Sequence, residues 1–476
     1  MLNQEELNAK LKHYYNGTIV NKKLSQRQDI ARLPRFVSEF MLTKLSEFED
    51  NPELFNEKYK EIIDMIHKHY PEAKDKDKIL NKLMEEKYYT IIDEFKVEID
   101  IKRELKKAQI PSLNIRDAMI LDSIINQNEN LLSTGIWGIA KLNHAQPKLD
   151  EDENKITAPI LIEAFSPFQV ANVNFKEFAQ KRENFTTEEW MNVLINTSGL
   201  NPDVFDEKQK LIMISRFISL VEGNVNLMEF GPRATGKTFF FRNISFYTRI
   251  ISGGQVSPAV LFYNIGSRTM GEIGMKDAIV LDEVAKIRFA NSDEMMGKLK
   301  DYMESAHFER GPKKATSTCS LNLVGNIDVK GFIPIEDFTY VLPDFMRDSA
   351  FIDRINGLVP GWQLPKIRKP EVHLSQNYGF SVDYFSEILH ELRKMDFQSE
   401  ITKRIDLENV TIRDYKSIMK TTSGMLKILF PNRKFSQEEF TRVLSFCIEY
   451  RQSIADWLQK LAPGEFEKKK IEFKLK

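Results

Sequence analysis

The segment GPRATGKT, residues 231–238, constrains this chain more than any other stretch. It matches G-x-x-x-x-G-K-[ST], in which glycines let backbone N–H groups close around an anion and a lysine adds positive charge. The match gains meaning from its flanks, and both flanks fit. VNLMEF (225–230) reads as a strand leading in, and TFFFRNI (238–244) opens a helix whose N-terminus favours phosphate. The expected ligand is ATP, contacted by Gly231, Pro232, Arg233, Ala234, Thr235, Gly236, Lys237, Thr238 and Phe239. Lys237 would reach the β- and γ-phosphates, and Thr238 would ligate Mg²⁺.

Hydrolysis needs a metal, positioning and a group that orients water. AIVLDEV (278–284) is an apolar run ending in two carboxylates. Asp282 would hold the Mg²⁺ and Glu283 would activate the water. An apolar strand ending in Asp-Glu is common by itself, and its position after the phosphate loop makes it specific. A third run, SLNLVGNI (320–327), ends near Asn326. A polar residue at a strand's carboxyl end borders the ligand crevice of an open α/β sheet, which suits orienting the water. PDFMRDSAFIDRI (343–355) then offers Arg347 and Arg354, either of which could reach a neighbouring subunit's ATP as an arginine finger. Met270, Cys319 and the triplet Phe239–Phe241 read as packing more than chemistry.

Around this site the texture changes twice. Residues 1 to about 86 alternate apolar and charged positions at helical spacing, whereas 88–101, 135–142 and 158–165 read as strands with a polar loop at 148–155. TTEE (186–189) has the form of a capping box. Alternating strand and helix from about residue 200 marks a parallel α/β sheet, and long helical runs fill 380–395, 411–429 and 436–460. The expected organisation is an α+β accessory domain with a small antiparallel β unit (1–170), linker helices (171–205), an α/β nucleotide-binding core (206–365) and a helical lid with a basic tail (366–476).

Composition narrows the setting. Lys plus Arg (68) balance Asp plus Glu (69), which excludes a uniformly basic binder but leaves room for a local basic channel. Two cysteines, seven scattered histidines and no HExxH pair exclude a disulfide framework and point away from a structural zinc site. No run approaches the ~18 apolar residues of a membrane span, and the N-terminus has no apolar signal core. The expectation is a cytoplasmic protein without a membrane partner.

The order of phosphate loop, Asp-Glu, strand-terminal Asn, Asp-Arg and helical lid resembles an AAA+ ATPase. More closely, GPRATGKT, LFYN (261–264), AIVLDEVA, KDYMES (300–305), FIDRI-(x)₄-PGW (351–362) and TTSGMLKILFP (421–431) resemble the Lon-related BrxL family of bacterial BREX phage-defence systems. IWG (136–138) and FTTEEW (185–190) extend the likeness upstream. The resemblance implies an AAA+ core similar to that of MCM helicases, a homo-hexamer or double hexamer, DNA as partner and other BREX proteins nearby. It favours Arg354 over Arg347 as the finger and places a second sensor on Arg413, within TIRDYKSIMK (411–420). Longer family members continue into a Lon-like peptidase domain. This sequence stops after the lid and shows no Ser–Lys dyad context, so ATPase without protease activity is expected.

DYMESAHFERGPKKATSTCS (301–320) resembles the MCM hairpin that precedes the sensor strand, with Lys313 and Lys314 in its turn. A protein unfoldase would present an aromatic–aliphatic–Gly pore loop. IGSRTMGEIG (265–274) has no aromatic and offers Arg268 instead. The reading is therefore an ATP-driven ring motor whose pore holds DNA through Arg268, Lys313 and Lys314, largely independent of sequence. Two alternatives stay open: an ATP-gated DNA clamp that acts as a scaffold, and a protein-remodelling ATPase. Lys22, Lys23, Arg27 and Arg32 could add a basic face near the N-terminus.

Overall fold

Period-two alternation of β-branched and charged residues produces a strand at Tyr88–Asp100, and four further strands close it into a barrel. The computed structural model describes residues 3–476 apart from 31, 50, 134, 151–152 and 169–172. The boundary expected at 170 and part of the loop expected at 148–155 therefore lie outside the described residues. The chain forms two units, one of 23–172 with 381–384 and one of 1–22, 173–380 and 385–476.

In the smaller unit the barrel strands are β1 (Tyr88–Asp100), β2 (Leu105–Ile110), β3 (Ile115–Ile120), β4 (Ile136–His144) and β5 (Ile160–Pro167). β1 pairs with β4 through Tyr88–Phe95 and with β2 through Lys96–Asp100, so one long strand serves both sides of the closure. The circuit runs β1-β2-β3-β5-β4, and β3 meets β5 in parallel, Met119 opposite Leu161. This corrects the simple antiparallel unit expected from sequence. The connectivity is that of an OB barrel. Ile91, Phe95, Ala108, Ala140 and Leu142 fill its interior, joined by Ile79 and Leu83 from the helix Lys76–Glu86. Gly138 is required for closure, because a Cβ there would lie 2.5 Å from the Phe165 ring.

In the larger unit five parallel strands form one sheet: β6 (Asn226–Gly231), β7 (Thr248–Val256), β8 (Ala278–Phe289), β9 (Ser320–Asn326) and β10 (Gly357–Pro360), in the order β10-β6-β9-β8-β7. β6 is buried along its whole length, which explains its mostly apolar texture and leaves Asn226 and Glu229 as buried polar side chains that need partners. Met228, Phe230, Ile279, Leu281, Leu323 and Leu358 belong to one core with Trp457 and Leu458 of the helix Gln437–Leu461. Together with the helices that flank the sheet, this is the α/β P-loop architecture expected from the sequence.

Thr186 and Glu189 form the capping box that opens the helix Thr187–Thr197. Residues 1–22 also belong to this unit: the short strand Ile19–Asn21 pairs with Tyr378–Phe380, a partner far away in sequence. The basic tail pairs as a strand, Glu472–Leu475 against Ile405–Glu408. Among the described residues no helix is long and apolar enough to cross a membrane.

Candidate nucleotide site

The sheet order brings the carboxyl ends of β6, β8 and β9 side by side, with Asn326 in register with Gly231. They border a cleft of about 540 Å³ that gathers Arg233 through Phe239, Asp282, Glu283 and Asn326, joined by Ser252 and Lys286. Gly231 lies beneath it, where a Cβ would fall 2.5 Å from the Gly361 carbonyl carbon. Gly236, at φ +77°, turns the loop into the helix Lys237–Ile244. Phe240 and Phe241 are buried as expected for packing, while Phe239 lines the cleft.

Lys237 is only 6% exposed. Its Nζ donates to the carbonyls of Gly231 (2.9 Å) and Pro232 (2.8 Å) and approaches Thr235 Oγ1 at 3.3 Å. Removal from water lowers its pKa to about 8. The loop thus encloses a cation satisfied by neutral oxygens alone, which suits an incoming phosphate. Thr238 Oγ1 donates to Asp282 Oδ2 at 2.8 Å, and the other Asp282 oxygen accepts from the Glu283 N–H at 2.9 Å. A hydroxyl and a carboxylate side by side are hard oxygen ligands of the kind Mg²⁺ prefers.

Glu283 sits on a bulge. β8 and β7 are in register at Asp282 and Ser252 and again at Ile287 and Gly254, so residues 283–286 stand opposite Gly253 alone. Glu283 takes φ +50°, an uncommon conformation for a non-glycine residue, and projects into the cleft. Lys286 Nζ holds both of its carboxylate oxygens at 3.1 Å.

Beneath the loop lies a pair that sequence reasoning missed. Arg216 and Glu229 are both buried and meet in a two-point ion pair (2.6 and 3.0 Å), and Arg216 also donates to the Thr235 carbonyl at 3.2 Å. The signal was present: a glutamate within the apolar run NLMEFG demands a buried cation.

Three predicted arginines lie outside the cleft lining. Arg347 donates to the Leu342 carbonyl and pairs with Asp344. Arg354 and Arg413, 59 positions apart in sequence, converge on Glu304: Arg413 Nε donates to Oε2 at 2.9 Å, and Arg354 Nε stands 3.6 Å from the same oxygen. Arg413 also pairs with Asp353 at 2.6 Å, whose second oxygen accepts from Arg451 of the lid.

The segment expected to precede the sensor strand does form a hairpin, His307–Arg310 against Lys313–Thr316, with Gly311 at φ +56° in the turn. The lysines open the return strand and leave the turn to Gly311 and Pro312. Lys314 pairs with Glu309 at 2.8 Å, whereas Lys313 and Arg268 make no ion pair among the described residues. Arg268 sits at φ +57° between the short strands Tyr263–Asn264 and Thr269–Met270, and Arg310 bonds the Tyr263 carbonyl, so the two hairpins are tied together.

Three of the four cations that could add a basic face near the N-terminus have partners of their own. Lys22 is buried with its Nζ on the Phe380 carbonyl, Arg27 lies over the Tyr59 ring beside Asp29, and Arg32 pairs with Glu72.

Comparison with known proteins accords with this geometry. Residues 160–472 match the family described as "Lon-like protease BrxL-like, ATPase domain", and 13–144 match "BREX system Lon protease-like protein BrxL N-terminal". The Lon-like protease BrxL of Bacillus cereus (strain H3081.97) is 33% identical over 467 residues, covering 97% of this chain and 68% of that protein. The Lon-like protease BrxL of Escherichia coli O9:H4 (strain HS) is 32% identical over 465 residues, covering 97% and 66%. The chain thus spans about two thirds of the length of each. With a matching ATPase domain wrapped around a P-loop cleft and a matching N-terminal domain before it, the chain belongs to the BrxL family.

Proposed function

We propose that this chain is an ATP-hydrolysing ring motor of bacterial phage defence that encircles DNA and moves along it. The chemistry assigned to its own side chains is phosphoryl transfer to water. Lys237 and the loop N–H groups hold the β- and γ-phosphates, Asn326 orients the attacking water, and Glu283 accepts its proton. Mg²⁺, held by Thr238 and Asp282, supplies charge neutralisation on the phosphates.

The observation that carries the ring is the convergence of Arg354 and Arg413 on Glu304, away from the chain's own cleft. Two arginines gathered there have phosphate to act on if a neighbouring subunit presents it. Arg354 serves as the finger and Arg413 as its companion. DNA is favoured by the joined hairpins bearing Arg268 and Lys313, and by the barrel, whose OB connectivity recurs in oligonucleotide binders.

The test is complementation. Arg354→Ala and Lys237→Ala subunits, each inactive alone, should regain part of the ATPase rate when mixed, because some interfaces then pair an intact arginine with an intact loop. Activity rising with added DNA and indifferent to unfolded protein supports the DNA motor. A fully active monomer refutes the ring, and stimulation by unfolded protein alone refutes the DNA assignment.

A further inference from the structure

A second cleft, of about 420 Å³, shares only Pro232 with the phosphate loop and lies outside the machinery described above. One wall is the small hairpin Val329–Pro334, turned by Gly331 at φ +65°, which leaves Phe332 56% exposed. The other wall carries Trp362, held flat by stacking on Phe338 (centroids 5.2 Å apart), and then the run Lys366, Arg368 and Lys369. All three cations are exposed, and among the described residues none of them makes an ion pair and no carboxylate lines the cleft. In a chain of net charge −1, three uncompensated cations facing two aromatic rings are an uneven distribution that favours a phosphate-bearing ligand with a planar group.

We propose that this cleft binds single-stranded nucleic acid, the three cations taking backbone phosphates and Phe332 stacking on an unpaired base. A duplex keeps its bases paired and stacked on one another, so an exposed ring at a hairpin tip has nothing to stack on there. The cation run is anchored to the nucleotide site. Ile367, at its centre, donates its N–H to the Ala234 carbonyl at 2.7 Å, and its side chain fills the space that a Cβ on Gly236 would need. A strand drawn onto Lys366, Arg368 and Lys369 therefore pulls on the phosphate loop, which links occupancy of this cleft to ATP turnover.

This inference rests on the nucleic-acid reading above, and the experiment separates the two. Binding of labelled oligothymidylate is followed by anisotropy across a salt series, alongside KM for ATP without DNA. The triple variant Lys366→Ala, Arg368→Ala, Lys369→Ala should flatten the plot of log K against log[salt] by about 2, from ~0.7 per lost single-strand contact. It should keep the DNA-free ATP KM and lose stimulation by the oligonucleotide. Phe332→Ala, an exposed change that leaves the fold intact, should weaken single-strand binding about 5- to 150-fold with the slope unchanged. An unchanged slope in the triple variant overturns the site while leaving the DNA motor standing. A raised ATP KM with intact oligonucleotide binding assigns the cations to the nucleotide instead. Equal losses on duplex and single strand for Phe332→Ala overturn the stacking role. A parent protein that binds no oligonucleotide at any salt refutes both readings.

Discussion

Replacing Lys237 by methionine should make the nucleotide-free protein more stable while abolishing ATP binding. The ammonium is buried against carbonyl oxygens, and desolvation brings its pKa from 10.5 to about 8. That gap corresponds to about 3 kcal/mol favouring the neutral amine in the folded state. The folded pKa is the lower one, so the unfolded chain binds the proton more tightly. The cost is therefore fully present below pH 8 and fades as pH rises from about 8 towards 10.5. Methionine keeps the stem's length and removes the charge. Urea unfolding at pH 7 should show Lys237→Met stabilised by up to about 3 kcal/mol, with the gain shrinking by pH 10. The same protonation governs binding. Free subunits lose the Lys237 proton through about pH 8, so ATP affinity should fall about tenfold between pH 7 and pH 9. A variant destabilised at pH 7, or a gain independent of pH, would show that Lys237 is not a strained cation awaiting an anion.

Glu283→Gln should cut turnover about 10²- to 10⁴-fold and leave ATP affinity near the parent's, measured by single-turnover kinetics and nucleotide binding. Glu229→Ala strands Arg216 in the interior and should cost about 3–5 kcal/mol of stability in urea unfolding. Arg413→Ala should behave like Arg354→Ala in subunit mixing, rescuing Lys237→Ala partners, because both arginines gather on Glu304. On duplex DNA, Lys313→Ala should flatten the salt slope by about 0.9, and Lys314→Ala by less, because Glu309 already shares the Lys314 charge.

What could be read from the sequence follows from how local each feature is. The phosphate loop, the Asp-Glu strand end and Asn326 are short motifs whose flanks declare strand or helix, and the sheet brings them together in one cleft. The capping box at Thr186 needs only four residues to specify it. The barrel was harder. Its defining feature is the parallel contact between Met119 and Leu161, which depends on closure, and β2 and β3 are short six-residue strands that alternate imperfectly. Residues 1–22 join the larger unit through a three-residue strand whose partner is more than 350 positions away, which no local pattern encodes. Charge clusters misled in both directions. Lys22 and Lys314 read as exposed cations, but Lys22 is buried on the Phe380 carbonyl and Lys314 is paired with Glu309, while Lys366, Arg368 and Lys369 stayed unremarked inside a segment that read as a boundary.

The two buried cations under the phosphate loop show why the fold accepts the cost at Lys237. Arg216 lies close enough to disfavour the charge on Lys237, and Glu229, bonded to Arg216, works in the opposite direction. A carboxylate bonded directly to Lys237 would have relieved its desolvation, but an incoming phosphate would then have to displace it. Instead Glu229 gives both oxygens to Arg216, and that guanidinium braces the Thr235 carbonyl. Lys237 receives carbonyl oxygens, which satisfy its N–H groups and carry no net charge to compete with a phosphate. The arrangement divides two tasks between two cations: the paired one holds the loop's shape, and the unpaired one stays available to the ligand. Exchanging these roles by moving the carboxylate to Lys237 would give a tighter empty loop and a weaker nucleotide site.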